Sequence, residues 1–308
     1  MKNERVTYIK GEYVPDSEAK IDYYDAGFQY GIVVTDAIRT FNYKPFKVDQ
    51  HVDRLMRSSK MARIDPGMSR DELKAIALTL LERNRHCFNP PRDDTWIFYN
   101  ISSGRFFVNF EPGKTYPPQT VCVHLWPLEF QRHAKFYLSG CHVITPSTRQ
   151  MPAQCLDPKL KHRSRLYWTL AGYEVHEMDP EGFSLLLDLQ GNVTENGGAN
   201  FFIVQGGVLR TPPTDVALAG ISRETVFELA KQLGIPAEEK HFQMYDVYNA
   251  DEAFLTATSY CVLPATKANG VTIGDGKPGR LTLQLLNAWS ETVGVDIIDQ
   301  GLRGAGLV

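Results

Sequence analysis

The chain has 308 residues, about two domains at the usual ~150 residues per domain, and enough to bury a core without covalent staples. Apolar residues make up 43%, charged residues 22%, and 33 Lys+Arg against 36 Asp+Glu leave a formal net charge of -3. No basic field marks a nucleic-acid or membrane-surface protein, and no apolar run nears the roughly 20 residues that span a bilayer.

In chain order, Val6–Ile9 and Gly31–Phe41 read as extended, and Pro45–Val48 as a strand ending at Asp49, a good helix N-cap. After it Val52, Leu55, Met56 and Ser59 share a helical face. A second helix is predicted from Ser69 to about Arg85, with Leu73, Ile76, Ala77 and Leu80 in register, then strands at Thr95–Ser102 and Gln119–Trp126. Polar or proline-rich punctuation falls at Asn89–Asp94, Glu111–Lys114 and Thr145–Thr148. Leu128 to Lys135 is charged and lacks a period of 2, so it reads as a linker between two domains. Beyond it come a strand at Cys141–Thr145, a helix from about Arg163 to Glu177, and strands at Phe183–Asp188, Ala199–Gln205 and Val208–Arg210. A helix follows Gly220 and stops at Gly234; a strand at Phe254–Tyr260 and a helix at Leu281–Val293 complete the chain. Strands cluster without regular βαβ alternation, which implies an α+β fold with antiparallel or mixed sheets.

Several familiar chemistries are excluded. Gly274–Gly279 fits a dinucleotide-binding fingerprint, but too little chain follows for such a domain, and Pro278 sits where the helix would open; a plain turn is the better reading. Gly113–Thr115 resembles the end of a phosphate-binding loop, yet the leading glycine is Val108. No His-Glu-x-x-His or nucleophile elbow occurs, so neither a zinc enzyme nor an ordinary serine hydrolase is expected, and no metal. Five scattered cysteines without a Cys-x-x-Cys spacing point to reduced thiols. Met1–Arg5 lacks the apolar stretch of a signal peptide, so a cytoplasmic location is expected.

Three segments carry more. Leu218–Glu224 delivers a glycine turn into a helix N-terminus, where N–H groups and the dipole favour an anion; alone it is an ordinary cap at Ser222. Phe254–Tyr260 is rich in hydroxyls. Glu195 precedes Gly197 and Gly198, small enough to let a flat ligand approach the backbone. Together they form one spaced pattern: Glu195, Gly197, Asn200, Phe201 and Phe202, then Leu209 and Thr211, then Leu218, Gly220, Ile221 and Arg223. It resembles, element by element, the signature of the class-IV aminotransferases. These are fold-type IV pyridoxal-phosphate enzymes and include branched-chain, D-amino acid and (R)-amine aminotransferases and aminodeoxychorismate lyase. Asp25–Gly31, His51–Leu55 and Tyr248–Pro264 extend the resemblance over nearly the whole chain.

The resemblance implies a two-domain fold-type IV enzyme: a smaller N-terminal α/β domain over residues 1–128, a linker at 129–137, and a larger cofactor-binding domain with mixed sheets or a barrel over 138–308. It implies pyridoxal 5'-phosphate, held as a Schiff base by a lysine that also shuttles the proton. Lys161, in Lys161–Leu166 with Glu174 thirteen residues on, fits the family's pattern better than Lys159. Glu195 would pair with the pyridine nitrogen. Arg54 would grip the phosphate, with the Ile221 and Ser222 N–H groups after Gly220 and the Thr258 hydroxyl. Asn200 and Arg165 would also touch the cofactor. The expected function is ping-pong transfer of an amino group from an amino acid or primary amine to a 2-oxo acid, in a homodimer whose active site lies near the subunit interface.

Departures bear on the substrate. The family's Asn is Ser164, and its tyrosine near the phenolic oxygen is Arg165. The Tyr-x-Arg of branched-chain enzymes falls at Trp96 and Phe98, neither of them basic, and the arginine of D-amino acid enzymes falls near Ser103 or Arg105. A shared tyrosine maps to Thr35, and Arg39, on the same face of the strand, is an alternative carboxylate contact. Thr35, Arg39, Phe98 and Ser259 are therefore the expected substrate contacts. Two rivals stand beside the transaminase: a lyase acting on aminodeoxychorismate, favoured by the Lys-His-x-Ser-Arg-Leu run, and a non-enzymatic binder that kept the fold.

Overall fold

The computed structural model describes residues 4–90, 93–104 and 119–308. Arg105, Val108, Gly113–Thr115 and the punctuation at 111–114 lie outside the described residues, as do two residues of the punctuation at 89–94. The chain divides into two compact units: residues 1–128 with 160–164, and residues 129–159 with 165–308.

The first unit is an antiparallel sheet covered by helices. Its strands are β1 (Val6–Ile9), β2 (Glu12–Pro15), β3 (Val33–Phe41), β4 (Lys44–Pro45), β5 (Thr95–Ser102) and β6 (Thr120–Pro127), in the order β2-β1-β6-β5-β3-β4. Its helices are α1 (Ala26–Tyr30), α2 (Val48–Ala62) and α3 (Arg70–Arg83). Alternation along β3 and β5 separates two faces. Val34, Ile38, Ile97, Tyr99 and Ile101 face a core built with Val52, Leu55, Leu73 and Leu80. On the other face, Thr35 lies opposite Asn100, Ala37 opposite Phe98, and Arg39 opposite Trp96.

Two local expectations meet the structure differently. Helix α2 is not capped by Asp49: its N-cap is Lys47, in the left-handed region with φ 50° and no side-chain cap bond. Asp49 lies in the first turn, where its charge suits the dipole and its carboxylate takes Arg70 Nη2 and Lys74 Nζ at 2.9 Å each. Helix α3 begins as expected: Ser69 and Glu72 form a reciprocal capping box.

The second unit is built on a mixed sheet. After α4 (Phe136–Ser139) come β7 (Cys141–Ile144), α5 (Leu166–Met178), β8 (Phe183–Ser184), β9 (Glu195–Asn196), β10 (Ala199–Gln205) and β11 (Val208–Thr211). Then come α6 (Ile221–Gln232), β12 (Ala237–Glu239), α7 (Met244–Tyr248), β13 (Glu252–Ala257), β14 (Cys261–Ala268), β15 (Val271–Thr272), α8 (Arg280–Val293) and α9 (Ile297–Gly304). The strand order is β12-β11-β10-β13-β14-β7-β8, with β9 on β10 and β15 on β14. Pairs β11–β12, β14–β7 and β7–β8 are parallel. Phe202 and Phe254 stack in its core at 4.9 Å. Gly274, at φ +57°, makes the turn before α8, so the fingerprint-like run is a turn.

Residues 129–137, expected as a linker, belong to the folded core of this unit. Phe130, Ala134, Phe136 and Tyr137 are buried, and Tyr137 Oη donates to the Tyr260 carbonyl at 3.0 Å. The charged residues that suggest a linker lie between these anchors. Residues 160–164 pack with the first unit instead, because His162 bridges Val34 at the free edge of β3. The helix expected from Arg163 starts at Leu166, since Arg163 N is bonded to the Val33 carbonyl at 2.9 Å.

Candidate active site

In the first unit, Lys161 sits on that edge segment. Its carbonyl accepts from Thr35 N at 3.0 Å and its N–H donates to Ser58 Oγ at 3.2 Å. Beside it α2 places His51 and Arg54, one turn apart, against Asp36 of β3. Arg54 donates from Nε to Asp36 Oδ2 and from Nη2 to Asp36 Oδ1, both at 2.8 Å, and His51 Nδ1 lies 2.7 Å from Oδ1. All three residues are buried. Burial raises the Asp36 pKa, but the Arg54 and His51 charges and hydrogen bonds outweigh it and hold the carboxyl well below its usual range. Burial lowers the His51 pKa and outweighs the Asp36 carboxylate. A neutral His51 therefore donates from Nδ1 to Asp36.

Asp36 thus takes the Nε–Nη2 edge of Arg54 and fixes the orientation of its guanidinium. Sequence reading singles out His51 and Arg54 and passes over Asp36. The signal is present all the same: a carboxylate inside the apolar strand Val33–Phe41 needs a buried partner. Asp36 also fixes a pH response. Because its folded pKa is depressed, its stabilisation is complete above the unfolded carboxylate value of about 3.9 and fades as pH falls below it. Asp36→Asn should cost about 3–5 kcal/mol at pH 7, as for breaking a buried pair. It should also flatten the acid limb of the urea midpoint plotted against pH; an unchanged acid limb would contradict the pairing.

The substrate-side expectations divide. Thr35 is buried, with Oγ1 bonded to the Tyr99 carbonyl at 2.7 Å. Arg39, expected as a carboxylate contact, is 2% exposed; its Nε donates to the Thr40 carbonyl and its guanidinium lies 3.9 Å from the Phe41 ring centroid. Packing of its long stem against that ring takes it out of solvent. Phe98 is half-buried and stacks between Trp96, at 5.0 Å, and His124, at 5.3 Å.

In the second unit, Glu195 starts β9 and is 3% exposed. Its Oε2 accepts from Leu218 N at 3.0 Å and Asn200 Nδ2 at 3.4 Å, and its Oε1 from Gln150 Nε2 at 3.4 Å. Asn200 also donates to the Leu218 carbonyl at 2.9 Å. A Cβ on Gly220 would fall 2.1 Å from Asn200 Oδ1, so a side chain there would have to displace the Asn200 amide from Glu195 and the Leu218 carbonyl. The cap of α6 is Gly220 rather than Ser222, with no side-chain cap bond. Among the described residues no acceptor meets the Ile221 and Ser222 N–H groups, which leaves the positive helix end open to an anion. Asn200 pairs with Thr256, so the turn bearing Thr258 and Ser259 lies at the same end of the sheet. Both are half-buried. Arg223 is turned away, bonding the Pro212 carbonyl at 3.2 Å and Glu239 at 3.0 Å. Arg165 stands at the N-cap of α5, 4.2 Å over the Trp168 ring.

The likeness to known proteins agrees with this geometry. Residues 33–268 match the family model for amino-transferase class IV. The chain belongs to the class-IV aminotransferases. Among relatives of this family, a Methanocaldococcus jannaschii protein provisionally named a branched-chain-amino-acid aminotransferase is 31% identical over 281 residues, covering 90% of this chain and 93% of its own. The D-alanine aminotransferase of Bacillus licheniformis is 30% identical over 286 residues, 92% of this chain and 96% of its own. A branched-chain amino acid aminotransferase from T.th., solved with pyridoxamine 5'-phosphate, superposes with a TM-score of 0.84 at 27% identity, covering 94% of this chain and 95% of that one. The Escherichia coli branched-chain amino acid aminotransferase superposes with a TM-score of 0.86 at 26% identity, covering 94% of each chain. These likenesses bear out the fold-type IV, α+β reading and favour a class-IV transaminase over the lyase.

Proposed function

We infer that this class-IV aminotransferase uses pyridoxal 5'-phosphate to move an amino group from an amino acid or primary amine to a 2-oxo acid. The observation that supports this most strongly is the Glu195 half-site: a buried carboxylate held by N–H donors, beside a glycine turn, packed on Asn200, into a helix end with no side-chain cap. The group supplies a carbonyl that captures amines and a pyridinium ring that takes up electrons when the adjacent C–H breaks. Lys161 Nζ would provide the amine that holds it and the base that moves the substrate's proton. By the family resemblance Glu195 would keep the ring nitrogen charged, the Ile221 and Ser222 N–H groups and the Thr258 hydroxyl of the second unit would take the phosphate, and Arg54 of the first unit is assigned the same task. Asn200 and Gly220 shape the floor, and Arg165 borders it. The resemblance would put Thr35, Arg39 and Phe98 of the first unit and Ser259 of the second toward the substrate, with Arg39 buried against the Phe41 ring. The test is reconstitution with pyridoxal phosphate followed by a panel of amines and D- and L-amino acids against pyruvate and 2-oxoglutarate. Ping-pong transfer to an added oxo acid is expected; pyruvate release without an acceptor would point to the lyase, and a colourless protein would sink both.

We also infer a homodimer. Each unit exposes an apolar patch of the kind that marks an interface. One carries Ile21, Tyr23, Tyr24, Phe28 and Tyr30, each more than half exposed; the other carries Leu166, Leu170 and Tyr173, at i, i+4 and i+7 on α5. Light scattering should give twice the 34.8 kDa chain mass, and Leu170→Glu should shift it toward one copy. A monomeric wild type would refute this. The absence of disulfides among the described residues agrees with a cytoplasmic location, and no described helix is long and apolar enough to cross a membrane.

A further inference from the structure

Oxo acids and amino acids carry a carboxylate next to the reacting carbon, and a transaminase gains orientation by holding it. The arginines expected near the site are otherwise engaged: Arg54 on Asp36, Arg39 over Phe41, Arg165 over Trp168, and Arg223 on Glu239. We propose that Arg163 receives the substrate's carboxylate, which makes amino acids and 2-oxo acids the substrates of this enzyme in preference to carboxylate-free amines. The proposal deepens the transaminase reading and rests on it.

Arg163 lies two residues beyond Lys161 across the bridge at His162, an extended step of roughly 6.5–7 Å. Two long side chains that far apart can converge on one small substrate. The residue is pinned three ways. Its N–H bonds the Val33 carbonyl at 2.9 Å, its Nε donates to Asn100 Oδ1 at 2.7 Å, and its guanidinium lies 5.3 Å over the Phe98 ring. A guanidinium has five N–H donors and Nε uses one. Among the described residues, no acceptor meets the Nη groups and no carboxylate pairs with the charge. The fork that binds carboxylates in two-point fashion is thus oriented but unused. It faces a cavity of about 540 Å³ where Ile21, Tyr23, Phe28 and Val33 give apolar wall, Arg163 is the one cation, and the carboxylates Asp22 and Asp25 also lie on the lining, Asp22 accepting from Tyr24 N at 2.8 Å. Asp25, also on that wall, is already taken by Gly27 N, Ser102 Oγ and Thr120 Oγ1. The nearby His124 is held down to about 4 by burial and by Arg163, so near pH 7 it is neutral and does not compete for the anion. Phe98 occupies a place where the resemblance expects a base, and a guanidinium stacked on that ring restores the charge from a neighbouring segment.

The test compares wild-type holoenzyme with Arg163→Gln and Arg163→Lys. It measures KM and kcat for an amino-acid donor with 2-oxoglutarate, and the Kd of 4-methylvaleric acid, which has a carboxylate but no amino or oxo group, by calorimetry. Losing a hydrogen bond to a charged group corresponds to roughly 10–150-fold. R163Q should therefore raise the donor KM and the acid Kd together by about 30-fold while kcat changes less than about threefold. R163K should fall between, keeping charge without the fork. Unchanged KM and Kd in R163Q, or a loss confined to kcat, would overturn the proposal. Should R163Q fail to fold, R163K with wild-type Kd and KM would overturn it equally. A wild type that binds the acid through Arg163 yet transaminates no donor would overturn the transaminase reading instead.

Discussion

Lys161→Ala should lower transamination by about 10⁴-fold or more, the upper range for loss of a positioned proton-transfer group, and abolish the visible absorption of the reconstituted protein. The two losses have one cause. On the proposed reading the lysine amine would both anchor the cofactor and return the proton, so no neighbour would inherit either task. Lys159 is the nearest rival by sequence, yet its Nζ sits 3.2 Å from Asp157 with the side chain half exposed. Lys161 is fixed at its backbone from both sides, by Thr35 N and by Ser58 Oγ. The variant should remain folded, because that fixation is made by backbone atoms. Adding a small primary amine should restore part of the rate, since it can replace the missing proton carrier. Lys159→Ala should keep the absorption and most of the rate; if it lost them instead of Lys161→Ala, the assignment would move two residues.

Glu195→Gln should lower kcat by about 10²–10³-fold, the usual cost of one pre-placed electrostatic contact in a dry site, with little change in fold. Glutamine keeps the shape and an acceptor oxygen for Leu218 N, now 3.0 Å from Oε2. What disappears is the negative charge. The ring nitrogen then loses the partner that keeps it protonated, and the ring becomes a poorer electron sink. Loss in kcat with little change in donor KM is the signature of a group acting on the reacting system. A matching loss of thermal stability with no kinetic defect would instead mark Glu195 as a structural carboxylate serving Asn200 and the Leu218 turn.

How legible the fold and site are in the residues varies with the kind of constraint. Glu195, Asn200, Gly220 and Ile221 are readable because they sit at fixed spacing along adjoining elements and touch one another: a Cβ on Gly220 would push on the Asn200 amide that bonds Glu195. Strands β1, β5 and β10 and helices α3 and α8 are readable from periodicity and, for α3, from its capping box. Less visible is anything decided by a distant partner. Lys47 starts α2 in the left-handed region, where no propensity would put it, and Asp49 sits in the first turn facing Arg70 and Lys74. Residues 129–137 resemble a linker because their buried side chains are separated by charged ones that reach solvent. Asp36 escapes notice because its partners come from a helix that follows in sequence. The surroundings of Arg39 and Arg163 are hidden for the same reason: the pleat gives the face, but the Phe41 ring and the Asn100 amide, distant in sequence or unmarked in it, hold the two guanidinium groups.

The central claim is that this chain uses Lys161 to hold pyridoxal phosphate for transamination. Reducing the reconstituted wild type with borohydride and mapping its peptides by mass spectrometry tests it most directly. A single phosphopyridoxyl adduct on the Lys161 side chain, absent when the sample is first treated with an amino donor, is the predicted result. An adduct on Lys159 or on scattered surface lysines, or none at all, would contradict it.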